Sequence, residues 1–203
     1  MPCGGICNRR KRRDPVKTTE RYRNFNFDAF INAPKVKDFI GNNYEHYRDL
    51  WTADYAKHGK PERIMTSMHF NLLALLMPPA WFGYRKMWVV LWSWLGLICG
   101  MTVLDEIFNA DIPAASWTVA NVVVAILCKG AYFDHVVKFF ETNKNLPGPA
   151  LERAIQRQGG TSVGMAFLAC FISLIVILAV EVACYHYTNT LNAVIVDTDV
   201  KTG

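Results

Sequence analysis

Two groups of residues have types and spacing that invite chemistry. The first is Cys3 and Cys7, a C-x3-C pair on a glycine-rich tip. A zinc site gathers about four ligands, and no further Cys or His stands close to this pair. N-myristoylation needs Gly at the second position, which Pro2 occupies. The pair therefore reads as part of a tail, with lipidation of either cysteine left open. The second group is the polar side chains in or beside apolar runs: His69, Asn121, Glu181, and His186 next to Cys184. Glu181 is the one acidic residue well inside such a run, close to its end. An ionisable group in a membrane helix is a functional hypothesis by default, so Glu181 is a possible polar membrane site. A path past Glu181, Asn121 and His69 would suit a small transporter or channel component. Catalysis has no constellation: there is no GxSxG, no P-loop, no facing set of Glu and Glu-x-x-His, and no histidine pair at haem spacing. The expectation is a non-enzyme with no catalytic residue, cofactor or metal.

The elements that must position these residues are set by charge against apolarity. Of 203 residues, 52% are hydrophobic and 19% charged, below the roughly 25% charge of a soluble domain. Residues 1–66 hold 14 of the 22 Lys and Arg, and the long apolar runs fall in 67–184. This is a basic head on a membrane-embedded body, which argues against a solvated globular enzyme. Arg9 to Arg13 form a dense basic cluster, but no apolar segment follows soon enough for a signal peptide. On a membrane protein such a cluster serves anionic lipid at about 1 kcal/mol per residue, so nucleic acid is not an expected partner.

Residues 1–34 read as a basic, irregular cytoplasmic tail. Residues 35–66 hold an amphipathic helix, with Ile40, Tyr44, Tyr47, Trp51 and Tyr55 on one face and a stop at Gly59-Lys60-Pro61. That face suits packing on the protein's own body or a shallow interfacial position. The membrane domain, 67–187, contains four apolar segments: 69–84, 87–104, 114–133 and 163–184. A spanning helix takes about 20 apolar residues, so the last three qualify. The first is short and carries Pro78-Pro79, each lacking a backbone donor, and is expected to be re-entrant or interfacial. Three crossings with the N-terminus inside put 21 Lys/Arg on the cytoplasmic side and one, Lys201, in the outside tail 188–203. A fourth crossing would break this positive-inside bias. The expected fold class is all-α integral membrane protein, multi-pass.

Two glycine pairs stand at GxxxG spacing, Gly96 with Gly100 and Gly160 with Gly164, and Ala166 and Cys170 extend a row of small residues. Small residues let helices approach closely in lipid. The row serves packing within the chain or an interface with a second copy or another subunit. Trp81, Trp88, Trp92, Trp94 and Trp117 lie near segment ends, as an aromatic belt does. Arg85 and Lys86, with Trp81 and Trp88, are expected to contact lipid headgroups.

The stretch Asp38-Phe39-Ile40-Gly41-Asn42-Asn43-Tyr44-Glu45-His46-Tyr47, then Phe70-Asn71-Leu72-Leu73-Ala74, then Pro78-Pro79-Ala80-Trp81-Phe82-Gly83-Tyr84-Arg85-Lys86-Met87 resembles the bacterial inner-membrane family known as domain of unknown function 2628. Gly159-Gly160-Thr161-Ser162 resembles it too, over roughly residues 35–185 in all. Pro78 departs from the family's glycine, and Leu72 and Leu75-Leu76 from aromatic positions. The resemblance implies a small integral protein of the bacterial inner membrane and carries over no catalytic residues. The expected role is structural or interactive, as an accessory subunit of a membrane complex or a self-associating scaffold, in contact with membrane lipids.

Overall fold

The computed structural model describes Tyr22, residues 25–108, Ala110, Ile112, Pro113 and residues 115–202, with side chains described as far as Thr190. Cys3, Cys7 and the arginine cluster lie outside the described residues. Every regular element among the described residues is helical.

Short polar signals set the first elements. Asn26 caps α1 (Phe27–Ile31), its Oδ1 accepting from the Ala29 N–H. Pro34 opens α2 (Pro34–Ile40), where the missing donor costs nothing. A 3₁₀ turn over Gly41–Asn43 redirects the chain into α3 (Tyr44–His58). Gly59, in the left-handed region, ends α3, and Pro61 opens α4 (Pro61–Met65). The single helix expected after residue 35 is thus two helices, and the tail expected to be irregular through residue 34 contains α1. Phe27 and Ile31 are both buried, one turn apart, so packing holds a helix too short for periodicity to reveal.

Asn71 caps α5 (Leu72–Leu76), accepting from the Leu73 and Ala74 N–H groups. Met77 ends α5 and precedes α6 (Pro78–Tyr84). Pro78 at the start of a helix restarts the chain in a new direction. At 1.5 Å per residue, α5 and α6 are roughly 8 and 11 Å long, far short of a hydrocarbon core of about 30 Å.

Three long helices follow: α7 (Trp88–Phe108), α8 (Ala115–Asn143) and, after the short α9 (Gly148–Gln158), α10 (Val163–Thr202). Two are long and apolar enough to cross a membrane, α7 and the Val163–Thr190 part of α10. They pack along each other, and α6 packs on α10. Val89, Trp92 and Leu97 of α7, and Phe167, Phe171 and Leu174 of α10, stay exposed. Helix α8 differs in kind. Its apolar run ends at Lys129, and its second half is the centre of an aromatic core. The Phe133 ring lies 5.1 Å from Trp51 and between 6.3 and 6.4 Å from Tyr22, Phe25, Phe27 and Phe30, centroid to centroid. Such edge-on, tilted and stacked pairs add about 0.5–1.5 kcal/mol each beyond burial. The aromatic face of α3, Tyr44, Tyr47 and Trp51, is buried in this core.

Candidate functional site

Arg85 follows α6 directly. It is 2% exposed, so its guanidinium does not reach out to headgroups. The reason is aromatic: the Tyr47 and Tyr132 ring centroids each lie 4.7 Å from its Cζ, and Tyr84 lies at 5.6 Å. A guanidinium is flat and weakly hydrated, so it stacks on rings where an ammonium would not. Its Nη1 donates to the Ile40 carbonyl at 3.2 Å and to Tyr132 Oη at 3.4 Å. Its Nε donates to nothing. No carboxylate among the described residues lies within ion-pair distance of it. Burial pushes the Tyr47 hydroxyl above its ordinary pKa, and the Arg85 charge opposes that.

Beside Arg85 opens a cleft of about 460 Å³. It is lined by His46 and Tyr47 of α3, Asn71, Leu72 and Leu73 at the start of α5, Trp81 of α6, and Lys129 of α8. Lys129 Nζ stands 3.4 Å from His46 Nε2. Desolvation, then Lys129 and Arg85, hold the His46 imidazole below its ordinary pKa. It is therefore neutral at pH 7, and Nε2 accepts from the ammonium. Three stretches distant in sequence, α3, the α5–α6 pair and α8, place these groups. Gly130 lets α8 meet the backbone of α4: a methyl there would fall onto the Met65 and Ile64 carbonyl oxygens.

Lys86 is also not free. Its Nζ donates to the carbonyls of Gln156, Arg157 and Gly159, at 3.4, 3.2 and 2.7 Å. It closes the C-terminal end of α9, where carbonyls lack partners. Trp81 is buried and Trp88 half-buried, both packed on the core.

The polar residues considered for a membrane path are not brought together. His69 Nε2 pairs with Asp54 Oδ2 at 2.6 Å, tying the start of the α5 segment to α3. Asn121 Oδ1 accepts from Trp94 Nε1 at 3.4 Å. Glu181 is exposed on α10, and His186 is exposed while Cys184 is buried. Among the described residues no three His, Cys, Asp or Glu side chains gather as metal ligands.

The glycine pairs take different positions from one another. A methyl at Gly96 or Gly100 would meet nothing within 4 Å, so this stretch of α7 is open on its glycine face. Gly160 has a φ of 70° and precedes α10, and Gly164 has only its neighbour Ser162 nearby, at 4.0 Å. Ala166 and Cys170 are half-buried. Close helix contact runs instead through Gly83 of α6, where a methyl would meet the Met165 backbone and the Ala169 side chain of α10. Spacing could not single out Gly83, because it has no glycine partner one turn away.

The sequence model of a family described as protein of unknown function (DUF2628) matches residues 17–132. The match starts before α1 and ends inside the aromatic core. It takes in Arg85, Lys129 and Tyr132 and leaves out α10. No curated protein and no solved structure matches the chain.

Proposed function

The chain belongs to the DUF2628 family of proteins of unknown function, and from that premise we propose that it is an integral membrane protein with a structural or interaction role. It acts as a self-associating scaffold or as an accessory subunit of a larger complex. The observation that carries this reading is the outward surface of α7. It is a helix of membrane-crossing length whose Val89, Trp92 and Leu97 are exposed and where a methyl added at Gly96 or Gly100 would meet nothing within 4 Å among the described residues. Lipid satisfies such a surface as well as protein does, but two glycines one turn apart let another helix approach closely.

In this reading the protein crosses the membrane three times, through α7, the first part of α8, and α10. The aromatic core and the N-terminus lie in the cytoplasm of a bacterial cell, at its inner membrane. The charge distribution supports this orientation, with no Lys or Arg between residues 87 and 128 and 14 before residue 67.

The test is the mass of the detergent-purified protein and of whatever travels with it. A dimer or a defined complex that Gly96→Leu with Gly100→Leu dissociates is expected. A monodisperse monomer with no co-purifying protein overturns the reading.

A further inference from the structure

We infer that the cleft beside Arg85 binds a phosphate-type oxyanion, carried by a phospholipid headgroup or by a soluble phosphate ester. Two cations line it, Arg85 and Lys129, together with the neutral His46. No Asp or Glu lines it, and neither cation has a carboxylate within ion-pair distance among the described residues. Arg85 is almost wholly buried and its Nε lacks an acceptor. Buried charges in folded proteins are paired as a rule. This one has ring faces, the Ile40 carbonyl and the tyrosine hydroxyls beside it, and no anion among the described residues. A ligand oxyanion supplies the missing charge. Guanidinium and ammonium groups are the usual partners of phosphate oxygens.

The neutral His46 is consistent with a site waiting for negative charge. Its Nε2 accepts from Lys129, which leaves Nδ1 as a donor. Burial lowers its pKa first and the two cations beside it lower it further; an anion between them would oppose the part due to the cations. The cleft also has an apolar side. Leu72 and Leu73 line it and remain exposed, as does Phe70. An anionic head beside exposed aliphatic chains is the pattern of an amphiphile. This inference goes beyond the interaction role, and the soluble-ester form does not depend on the membrane reading.

The experiment uses the full chain. In one arm, protein in nanodiscs of phosphatidylcholine is titrated by calorimetry with inorganic phosphate and with glycerol 3-phosphate. In the other, detergent-purified protein is mixed with phosphatidylglycerol or phosphatidylcholine, and retained lipid is read by native mass spectrometry. Saturable binding in the first arm identifies a soluble ester. Retention of phosphatidylglycerol over phosphatidylcholine, with no binding in the first arm, identifies a lipid. In either case Lys129→Gln weakens binding about tenfold or more, the worth of a hydrogen bond to a charged group. Lys129→Arg retains binding, and Arg153→Gln, on the exposed face of α9, leaves it unchanged. His46→Gln is the second handle should Lys129→Gln fail to fold. The inference is overturned by no saturable binding in either arm, by an unchanged affinity in Lys129→Gln and His46→Gln, or by an equal loss in Arg153→Gln, which would mean diffuse surface charge.

Discussion

The guanidinium of Arg85 lies 4.7 Å from the ring centroid of Tyr132, 47 residues further along the chain. The same guanidinium is as close to Tyr47. One planar cation thus joins α3, the end of α6 and α8. The contact is made by ring faces more than by hydrogen bonds, since the Tyr132 Oη distance of 3.4 Å is long.

This ordering predicts the cost of three substitutions. Arg85→Lys keeps the charge but loses the flat stacking surface and the reach to the Ile40 carbonyl, for about 1–3 kcal/mol. Tyr132→Leu removes a ring and costs at least as much. Tyr132→Phe keeps the ring and costs about 0.5 kcal/mol or less, given the long bond it removes. Thermal unfolding in detergent, followed by tryptophan fluorescence, reads all three. A Tyr132→Phe loss equal to that of Arg85→Lys would mean that the hydroxyl, not the stacking, holds the joint.

Phe133 is fully buried and touches rings from the chain before α1, from α1 and from α3. Phe133→Ala should cost about 3–5 kcal/mol, the usual range for deleting a buried aromatic. Protease cleavage before residue 34 should rise with it, because Tyr22, Phe25 and Phe27 lose their common support. Unchanged proteolysis at that end would show that α1 is held by other contacts, such as Phe27 stacked on Tyr55 at 4.3 Å.

Some of this was legible in the sequence. The apolar runs of α7 and α10 are long enough to announce themselves, and the double proline marks the break between α5 and α6. Membership of the family was legible from Trp81 through Met87. What stayed hidden depends on partners distant in the chain. Arg85 and Lys86 stand beside an apolar segment, where Lys and Arg ordinarily anchor to headgroups. Only the approach of Tyr47 and Tyr132, and of the end of α9, turns them inward. Helix α8 reads as an apolar segment to Phe133 with a polar continuation, yet the continuation carries Val136, Val137 and Phe139 into the core. Glycine spacing points to Gly96 and Gly100, while the tight crossing uses the single Gly83.

That last contrast gives a paired prediction. Gly83→Ala puts a methyl onto the Met165 backbone and the Ala169 side chain, and backbone cannot yield as a flexible side chain can. Overpacking of this kind costs about 1–3 kcal/mol. Gly96→Ala meets open space within the chain and gains helix propensity of up to about 1 kcal/mol. In an isolated chain the pair would move the unfolding temperature in opposite directions. In the self-associated protein proposed above, Gly96→Ala also crowds the helix packed on it, so both variants should lower the unfolding temperature. A rise in Gly96→Ala alone would count against an interface through Gly96.

Acid should weaken the aromatic core through His135. It lies in α8 beyond the part proposed to cross the membrane, stacked near Phe39 and Tyr132 with ring centroids 6.0 and 6.3 Å away. Its Nε2 is buried without a partner. Burial holds its pKa below the ordinary 6.5, with Asp134 opposing and Lys138 assisting. The folded state therefore binds fewer protons than the unfolded chain once the pH drops below about 6.5. Stability from this group is fully present above that pH. It declines as the pH falls and levels off below the folded-state pKa. Unfolding followed at pH 7.5, 6.5 and 5.5 in a fixed detergent should show the decline. His135→Phe keeps the stacking, removes the titrating ring and should flatten the profile with no loss at pH 7.5. A variant profile as steep as that of the parent would assign the pH response to other groups, His46 first among them because its pKa is also lowered by burial.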